Sequence, residues 1–305
     1  MDIYFAGTPN SAAEILKSLA SNDLFNIKGV ITQPDKKGKR GNQRIESPVS
    51  LMANSLNLQT YKPHNLTKEQ IQSDIDITNA DILLVVAYGN LIPAWILESN
   101  IKAINIHYSL LPSYRGASPI QSSLLNNDKK TGVTFMQISE DLDAGKVIKS
   151  FEVPINKNDN KSSLEKKLTK LSILNLEKVI TDFYSNKTIP IDQEHGKASY
   201  CKKILKEDSI INFEESAEKI FAKFRAYNEW PGICFTHKNK VIKIHGLEIS
   251  SIKSPGSPGD IISFTNSGLT FKTIDYDIVI THLQFPNKNI ITAKDAYNSY
   301  RQFFV

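Results

Sequence analysis

The side chains best suited to chemistry in this chain are an amide, an imidazole and a carboxylate placed after apolar segments. Asn105 and His107 end the apolar segment IKAINIH, and Asp143 lies in the turn LDAG that follows a second apolar segment, GVTFMQI. Because side chains alternate between the two faces of a strand, Asn105 and His107 are expected to project the same way. The turn can deliver Asp143 to the same place, so the sequence predicts one polar site built from these three groups.

These three groups suit the transfer of an acyl group to an amine. When an amine attacks a carbonyl such as that of a formyl group, the oxygen gains negative charge and the nitrogen loses a proton, so a site needs a fixed hydrogen-bond donor and a base. The amide of Asn105 can donate. The imidazole of His107 can accept or donate, since an unperturbed imidazole changes charge near pH ~6.5. Asp143 can orient that ring and stabilise its protonated form.

Each member of this trio also has an ordinary structural explanation. A lone histidine at a strand end is most often structural, an asparagine can cap backbone groups in a loop, and LDAG by itself is only a turn. The segment SLLPSYRG, which begins at Ser109, follows His107 closely, so the three residues are better explained together than one by one. The combination therefore favours an enzyme site over three separate structural residues.

Strand and helix patterns alternate through the first part of the chain. The segments DIYFA, IKGVI, DILLVV and AINIH have the apolar character of buried strands. Helical spacing runs over NSAAEILKSLA and SPVSLMANSL, for which Asn10 and Ser47 are candidate caps and Pro48 a good first-turn residue. This alternation predicts an α/β, Rossmann-like domain whose parallel sheet is covered on both faces. Ligands bind such sheets beyond the carboxyl ends of the strands, where Asn105 and His107 are expected.

The segment FAGTP, from Phe5 to Pro9, has the position of a dinucleotide-binding turn but lacks its defining pattern. That fingerprint needs three glycines as GxGxxG, and after Gly7 this chain continues TPNSA. A bound redox dinucleotide is therefore not expected.

Composition indicates a soluble intracellular protein with two domains. Its 305 residues, 40% of them hydrophobic, suffice for one sizeable core and a second smaller one. Cys201 and Cys234 are the only cysteines, too few for a disulfide framework or a four-cysteine zinc site, so no metal is expected. The chain opens MDIYFAGTP without a signal or transit pattern, and it contains no run of about 18 apolar residues. We therefore expect a cytoplasmic protein that does not span a membrane.

The alternation of strands and helices ends after a helical stretch over residues 160–185. We expect a catalytic domain over residues 1–188 and an extended linker over residues 189–206, which begins IPIDQEHGKASYCKKI. A second domain over residues 207–305 starts with helical periodicity in FEESAEKIFAKFRAYN and continues with short strands such as VIKIHGLEIS and GLTFKTID. Short strands at this spacing predict a small β-barrel.

A basic loop between Thr32 and Ser47 can meet the phosphates of a nucleic acid, although such a charge run is often only solvated surface. Its cations are Lys36, Lys37, Lys39, Arg40 and Arg44. The formal net charge is only +5, and residues 203–305 carry 13 lysines and arginines against 11 acidic residues. Phosphate binding must therefore come from local patches. A later helix offers further candidates that a solvated helix face would explain equally well: Lys219, Lys223 and Arg225.

Ordered motifs over nearly the whole chain carry a family resemblance. They are FAGTP, TQPD (Thr32–Asp35), SPV (Ser47–Val49), VVAYGNLIP (Val85–Pro93), NIHYSLLPSYRGASPIQ, TGVTFMQ (Thr131–Gln137), LDAG and AYNEWPG (Ala226–Gly232). By these motifs the chain resembles the formyltransferase family that uses 10-formyltetrahydrofolate, in particular its members that act on methionyl-tRNA.

The resemblance implies a Rossmann-like formyltransferase domain, a C-terminal barrel similar to the oligonucleotide-binding fold, and a monomer. It implies formyl transfer from 10-formyltetrahydrofolate, a co-substrate, to the amino group of methionine on initiator methionyl-tRNA. The family's catalytic positions fall on Asn105, His107 and Asp143, and its tRNA-binding insertion falls on the basic loop. Its folate-binding positions fall on Tyr88, Gly89, Ser109, Leu110, Leu111 and Pro112.

Two positions depart from the family pattern, and two other functions stay open. Tyr108 stands where relatives commonly have a small residue, and Lys146 stands where they often have an acidic one. A formyltransferase for a small amine, such as a sugar nucleotide or glycinamide ribonucleotide, would use the same trio without needing the basic loop and the barrel. A non-catalytic RNA-binding module would explain the loop and the barrel but leave the trio without a role.

Overall fold

A seven-stranded sheet of buried apolar strands holds the segments that carry the candidate chemistry. The computed structural model describes residues 1–38, 44–67, 75 and 77–304. The sheet belongs to the first of two units, formed by Met1–Pro119, Lys130–Pro154 and Glu165–Cys201. The strands of this unit are β1 (Asp2–Gly7), β2 (Asn26–Ile31), β3 (Lys36–Lys37), β4 (Arg44–Ile45), β5 (Thr60–Tyr61), β6 (Ile82–Val86), β7 (Lys102–His107), β8 (Arg115–Gly116), β9 (Lys130–Gln137), β10 (Val147–Pro154) and β11 (Tyr200–Cys201).

The sheet has the strand order β10-β9-β7-β6-β1-β2-β5. The five strands from β7 to β5 are parallel, which confirms the predicted Rossmann-like domain. β9 instead runs antiparallel to β7, and β10 runs antiparallel to β9, an edge that was not predicted. β9 and β10 pair as a hairpin because the loop between them, residues 138–146, is too short for the crossover that parallel strands require.

The helices in this part of the chain are α1 (Asn10–Ala20), α2 (Pro48–Ser55), α3 (Ala94–Leu97), α4 (Pro119–Leu125) and α5 (Lys161–Tyr184). The hydroxyl of Ser47 accepts a hydrogen bond from the N–H of Ser50 at 3.0 Å, so Ser47 caps α2 as predicted. The predicted cap at Asn10 is wrong, because Pro9 already occupies the cap position in an extended conformation and Asn10 is the first helical residue.

Apolar side chains are buried on both faces of the sheet. Ile3 and Phe5 of β1 are fully buried on one face, and Tyr4 and Leu83 belong to a core cluster on the other. Burial of a large apolar side chain contributes about 1.5–3 kcal/mol to folding. These strands therefore form a rigid support for the polar residues that follow them.

The second unit consists of Ile120–Lys129, Ile155–Leu164 and the described residues from Lys202 onward. Its strands and helices are α6 (Ala217–Ala226), β12 (Ile233–His237), β13 (Lys240–Ile249), β14 (Ile261–Phe264), β15 (Leu269–Phe271), β16 (Ile278–Gln284), β17 (Ile290–Thr292) and α7 (Ala293–Phe304). The order is β12-β13-β16-β15-β14 with β17 on β16, and every pair is antiparallel. Phe213, Phe235 and Phe271 pack together in its core. The predicted small barrel-type domain of short strands is confirmed.

α5 is the longest of these helices at 24 residues. Like the other helices of the described ranges, it lacks the apolar length needed to cross a membrane.

Candidate active site

β7 presents Asn105 and His107 on one face of the sheet. Asn105 lies opposite Val85 of β6 and Met136 of β9, so it sits within the sheet, and His107 is the last residue of the strand. Ile106, between them, is buried on the opposite face, as strand alternation requires. His107 itself is only 6% exposed, so its ring is largely shielded from water.

Asp143 reaches the same place from the hairpin loop between β9 and β10. Asn105 Nδ2 donates to Asp143 Oδ1 at 3.4 Å, and His107 Nδ1 lies 3.6 Å from Asp143 Oδ2. The backbone N–H of Gly116 donates to the same Oδ2 at 2.8 Å. The structure therefore brings the three residues predicted for catalysis together, and it adds a main-chain donor that the sequence could not reveal.

The hydrogen bonds of His107 determine which ring nitrogen carries the proton. Nε2 lies 2.9 Å from the carbonyl oxygen of Tyr114. Because a carbonyl can only accept, Nε2 carries a hydrogen, and in the neutral ring Nδ1 keeps a lone pair. That lone pair is on the side of Asp143. Nδ1 can therefore take up a proton, and the carboxylate then stabilises the imidazolium.

Backbone conformations that favour glycine cluster at this site. φ is +50° at Asp143, +59° at Tyr114 and +120° at Gly116. Such a conformation at a residue other than glycine costs about 1–3 kcal/mol and persists where surrounding contacts hold it. A Cβ added to Gly116 would lie 2.3 Å from the carbonyl oxygen of Cys201 in β11. Gly116 is therefore required both by its φ and by the close approach of that strand.

The predicted folate segment Ser109–Pro112 forms a tightly bonded turn directly after β7. The Ser109 hydroxyl donates to a carbonyl of the same turn at 2.6 Å, and the N–H of Leu111 donates to a threonine hydroxyl of β9 at 3.2 Å. Ser109 and Leu111 are buried, whereas Leu110 and Pro112 are partly exposed. The side-chain surface that this turn offers to a ligand therefore comes from Leu110 and Pro112.

The other predicted folate residues, Tyr88 and Gly89, follow β6 beside the end of β7. The Tyr88 ring belongs to the hydrophobic core and the whole residue is 1% exposed, so Tyr88 offers little surface to a ligand. Its carbonyl accepts a hydrogen bond from the hydroxyl of Thr8 at 2.8 Å. Gly89 is exposed and has a φ of +89°, which a residue with a Cβ adopts only under strain.

The basic loop begins and ends in a short antiparallel ribbon formed by β3 and β4. Lys36 pairs with Ile45 and Lys37 pairs with Arg44. Lys36 and Arg44 are exposed, so two of the five predicted cations face solvent on this ribbon. Two of the others lie outside the described residues: Lys39 and Arg40.

Lys62 ties the two ends of this ribbon together. Its Nζ lies 2.7 Å from Asp35, which precedes β3, and 3.0 Å from Glu46, which follows β4. Burial favours the neutral amine, but the hydrogen bonds and charges of the two carboxylates outweigh it and raise the pKa of Lys62. A hydrogen bond from Ser50, and then the contact with Lys62, lower the pKa of Glu46. No pattern in the sequence indicates this charged cluster.

Both departures from the family pattern point away from the catalytic trio. The Tyr108 hydroxyl lies 2.9 Å from the hydroxyl of Thr169 in α5, and burial raises the pKa of Tyr108 to about 12. Lys146 forms an exposed ion pair with Asp192 at 3.2 Å. Tyr108 therefore packs on α5, and the charge of Lys146 is paired with a carboxylate other than Asp143.

One of the three candidate cations of α6 is buried and makes its hydrogen bonds within the second unit. Arg225 is 8% exposed, and its guanidinium donates to the carbonyl of Asp159 at 3.2 Å and to Asn127 Oδ1 at 2.6 Å. Burial lowers the pKa of Arg225. The prediction of a solvent-facing or phosphate-binding Arg225 is wrong, because this residue lies on the buried side of the helix.

Two buried polar residues beside the trio were not predicted. Arg115 is 3% exposed and Gln193 is 6% exposed. Gln193 Oε1 accepts hydrogen bonds from Arg115 Nε at 3.1 Å and Nη2 at 2.8 Å. Gln193 Nε2 donates to the carbonyls of Asp143 and Gly145 at 2.9 and 2.7 Å. The sequence carries no signal for this contact, because 78 positions separate Arg115 from Gln193.

In the part of the chain that the structure describes, no group of three or more His, Cys, Asp or Glu side chains is arranged to hold a metal ion. The groups that the site offers are a fixed amide donor, an imidazole with one free lone pair and a carboxylate beside it. These are the groups needed to stabilise a developing oxyanion and to move a proton.

Two family models match this chain. The model described as formyl transferase matches residues 1–180, and the model described as formyl transferase, C-terminal domain, matches residues 203–301. Methionyl-tRNA formyltransferases from three strains of Buchnera aphidicola subsp. Acyrthosiphon pisum are 37% identical to it over 306 residues. These alignments cover 100% of this chain and 97% of each relative.

Solved structures have the same fold at lower identity. A sugar 3N-formyltransferase, solved with dTDP and 5-N-formyl-THF, has a TM-score of 0.68 and 22% identity over 95% of this chain and 99% of its own. An N-formyltransferase from Helicobacter canadensis, in complex with folinic acid and dTDP-3-aminofucose, has a TM-score of 0.66 and 18% identity over 93% of this chain and 99% of its own. HypX from Aquifex aeolicus, in complex with tetrahydrofolic acid, has a TM-score of 0.65 and 14% identity over 97% of this chain, which spans 46% of HypX. At these identities the likeness shows the fold alone.

Proposed function

The chain belongs to the formyltransferase family, and from this membership we propose that it transfers a formyl group from 10-formyltetrahydrofolate to the amino group of methionine on initiator methionyl-tRNA. The observation that carries the proposal is the meeting of Asn105, His107 and Asp143 on one face of the sheet. The name of the relatives at 37% identity supports the tRNA acceptor.

The trio divides the chemistry of the transfer between its members. The amine nitrogen attacks the formyl carbon, a new N–C bond forms, and the bond from that carbon to N10 of the folate breaks. Asn105 Nδ2 carries two hydrogens, so it can donate to the formyl oxygen while it also donates to Asp143. His107 Nδ1 removes the proton from the attacking amine and returns one to the departing N10, and Asp143 stabilises the imidazolium. The reaction needs no covalent enzyme intermediate.

The turns after β6 and β7 would hold the folate co-substrate. Gly89 is exposed after β6, and Leu110 and Pro112 are partly exposed after β7. These neighbouring parallel strands end at the same edge of the sheet, which is where α/β sheets bind their ligands. The partly apolar surface suits a flat pterin ring.

The β3–β4 ribbon would contact the phosphates at the acceptor end of the tRNA through Lys36 and Arg44. Each phosphate contact releases counterions, so replacing Arg44 by Ala should reduce the slope of log affinity against log salt by about 1. An unchanged slope would remove the ribbon from the interface. We further propose that the protein acts as a monomer in the cytoplasm.

The proposal is tested by incubating the protein and labelled 10-formyltetrahydrofolate with methionyl initiator tRNA, with methionyl elongator tRNA, and with an amino-sugar nucleotide. We expect fast labelling of the initiator tRNA alone. His107→Ala should lower kcat by about 100- to 1,000-fold while its affinity for the tRNA stays close to that of the wild type. Equal loss of turnover and of affinity would contradict a catalytic role for His107.

Formylation of an amino sugar is the second candidate, because two solved structures with this fold were obtained with dTDP or a dTDP-amino sugar. Labelling of the sugar nucleotide without labelling of either tRNA would favour it. In that outcome the trio keeps its role and the β3–β4 ribbon loses the role given to it here.

A further inference from the structure

We propose that Gln193 and Arg115 are positioning residues for Asp143. Gln193, anchored by Arg115, holds the main chain of Asp143, while the N–H of Gly116 holds its carboxylate. Gln193 comes from residues 189–206, which the sequence presents only as an extended connection between domains. The inference rests on the proposed catalytic role of Asp143, and it extends that role by naming what keeps the carboxylate beside His107.

Every hydrogen-bonding position of the Gln193 amide is used. Nε2 donates its two hydrogens to the carbonyls of Asp143 and Gly145, and Oε1 accepts two hydrogens from Arg115. An amide can make no more than two donor and two acceptor bonds of this kind. At 6% exposure, any of these groups left unpaired would cost about 1–3 kcal/mol. These four hydrogen bonds together fix the orientation of the Gln193 amide.

Those bonds hold the turn in which the catalytic carboxylate lies. Asp143 has a φ of +50°, a conformation that carries a cost of about 1–3 kcal/mol at a residue other than glycine and persists where surrounding contacts hold it. A Cβ added to Gly145 would lie 1.9 Å from the carbonyl of Gln137, so that end of the turn is pressed against β9. Gln193 binds the carbonyls of Asp143 and Gly145 and thereby opposes relaxation of the turn to a conformation with a negative φ at Asp143.

Arg115 anchors Gln193 from the other side. Its guanidinium also lies 3.3 Å from His195 Nδ1 and 3.4 Å from the Tyr200 hydroxyl. The chain before Gln193 is fixed as well, because Ile191 exchanges two backbone hydrogen bonds with Val147 at the start of β10. The glutamine is therefore held at both ends by elements of the first unit.

The contacts close a ring of four residues. Arg115 binds Gln193, Gln193 binds the Asp143 carbonyl, the Asp143 carboxylate accepts from the N–H of Gly116, and Gly116 follows Arg115 in the chain. The main chain and the side chain of Asp143 are thus both tied to β8. Loss of the Gln193 donors would free the main chain and let the carboxylate move away from the Gly116 N–H.

Amide hydrogen exchange measures this position without any substrate. The Gly116 N–H is bonded to Asp143, whereas the N–H groups of Arg115 and Ala117 are bonded to carbonyls of β11 and the residue before it. In Gln193→Glu the side chain can still accept from Arg115 but cannot donate to the turn. We expect Gly116 exchange to rise about tenfold or more, with Arg115 and Ala117 exchange within about twofold of wild type.

Turnover is measured on the same variants. A displacement of about 1 Å at a reacting group can cost about 100-fold, so Gln193→Glu should lower kcat by about 10- to 100-fold with KM values within about twofold. Asp192→Asn is the matched control, since it removes only the exposed ion pair with Lys146 and should leave turnover and exchange unchanged. Gln193→Met, which is similar in size and uncharged, replaces Gln193→Glu if the latter does not fold.

Two results would overturn the positioning role. One is unchanged exchange of the Gly116 N–H in Gln193→Glu and Gln193→Met. The other is an equal rise for the amides of Arg115 and Ala117, which would mean general loosening of β8. Failure of the proposed function is recognised separately, because the wild-type protein would then label no methionyl-tRNA, and failure of the catalytic role of Asp143 would leave Asp143→Asn with wild-type turnover. In both cases the exchange data still decide whether Gln193 fixes the carboxylate.

Discussion

His107 Nδ1 and Asp143 Oδ2 lie 3.6 Å apart, while the opposite nitrogen of the same ring donates to the carbonyl of Tyr114 at 2.9 Å. The ring is therefore fixed from behind, and its proton-accepting nitrogen is the one beside the carboxylate. The arrangement stabilises the positive charge that forms only when His107 takes a proton, so it favours the transition state over the resting state.

Asp143→Asn should lower kcat by about 100- to 1,000-fold with little change in stability. If the new amide keeps its oxygen on the Gly116 N–H, its NH₂ group takes the place of Oδ1 and meets the donor Nδ2 of Asn105, and the negative charge that stabilises the His107 imidazolium is lost. Single-turnover formyl transfer measures the effect. Asp141→Asn is the control, since it alters an exposed carboxylate of the same turn, and equal activity of the two variants would contradict the role of Asp143.

Gly116→Ala should destabilise the protein by about 2 kcal/mol or more and abolish turnover. The new Cβ would have a φ of +120° and lie 2.3 Å from Cys201 O, so β8 and β11 must separate. Gly196→Ala is the control, because a Cβ there meets nothing within 4 Å. Denaturant unfolding of the two variants gives the comparison, and matching midpoints would contradict the packing argument.

Lys62→Met should weaken the use of tRNA without slowing the chemical step. Asp35 and Glu46 would then face each other without the cation between them, so the ends of the β3–β4 ribbon should separate. We expect KM for tRNA to rise roughly threefold to tenfold, which corresponds to about 1 kcal/mol, with an unchanged kcat. Lys28→Met, which breaks only the exposed ion pair with Asp2, should behave as wild type. A fall in kcat alone would mean that Lys62 acts on the catalytic trio instead.

Tyr108 should make stability depend on pH in the alkaline range. Its pKa is raised to about 12 in the folded protein, so its contribution is complete below the unfolded value of about 10 and is lost as pH rises through the folded one. At about pH 8, Tyr108→Phe should lower the free energy of unfolding by about 1 kcal/mol, because the bond to Thr169 is lost. At about pH 11 the difference in free energy of unfolding between the wild type and Tyr108→Phe should be smaller by about 1 kcal/mol. A difference that is the same at both pH values would contradict burial of the hydroxyl.

The features that the sequence could predict are those set by local pattern. Strand alternation placed Asn105 and His107 on one face, helical spacing gave the bounds of α1, and Ser47 with Pro48 marked the start of α2. Each of these depends on residues within a few positions of one another. Local spacing and backbone preference are enough to determine them.

The features that escaped prediction depend on contacts between distant parts of the chain. The direction of β9 is set by its pairing with β7, and Gln193 meets Asp143 across 50 positions. Arg225 has the polarity of a surface residue, yet its guanidinium is buried against Asp159. A charged or amide side chain gives no local sign of burial, because its partners appear only when the chain has folded.

The pairing of β11 with β8 has a consequence for dissecting the protein. The N–H groups of Arg115 and Ala117 are bonded to the carbonyls of Ser199 and Cys201. A fragment cut off at the end of α5 would expose those groups and remove Gln193 from the Arg115 guanidinium. The shortest amino-terminal fragment that keeps the site whole therefore ends after Cys201, and a protease nick between α5 and Gln193 should leave two pieces that remain associated.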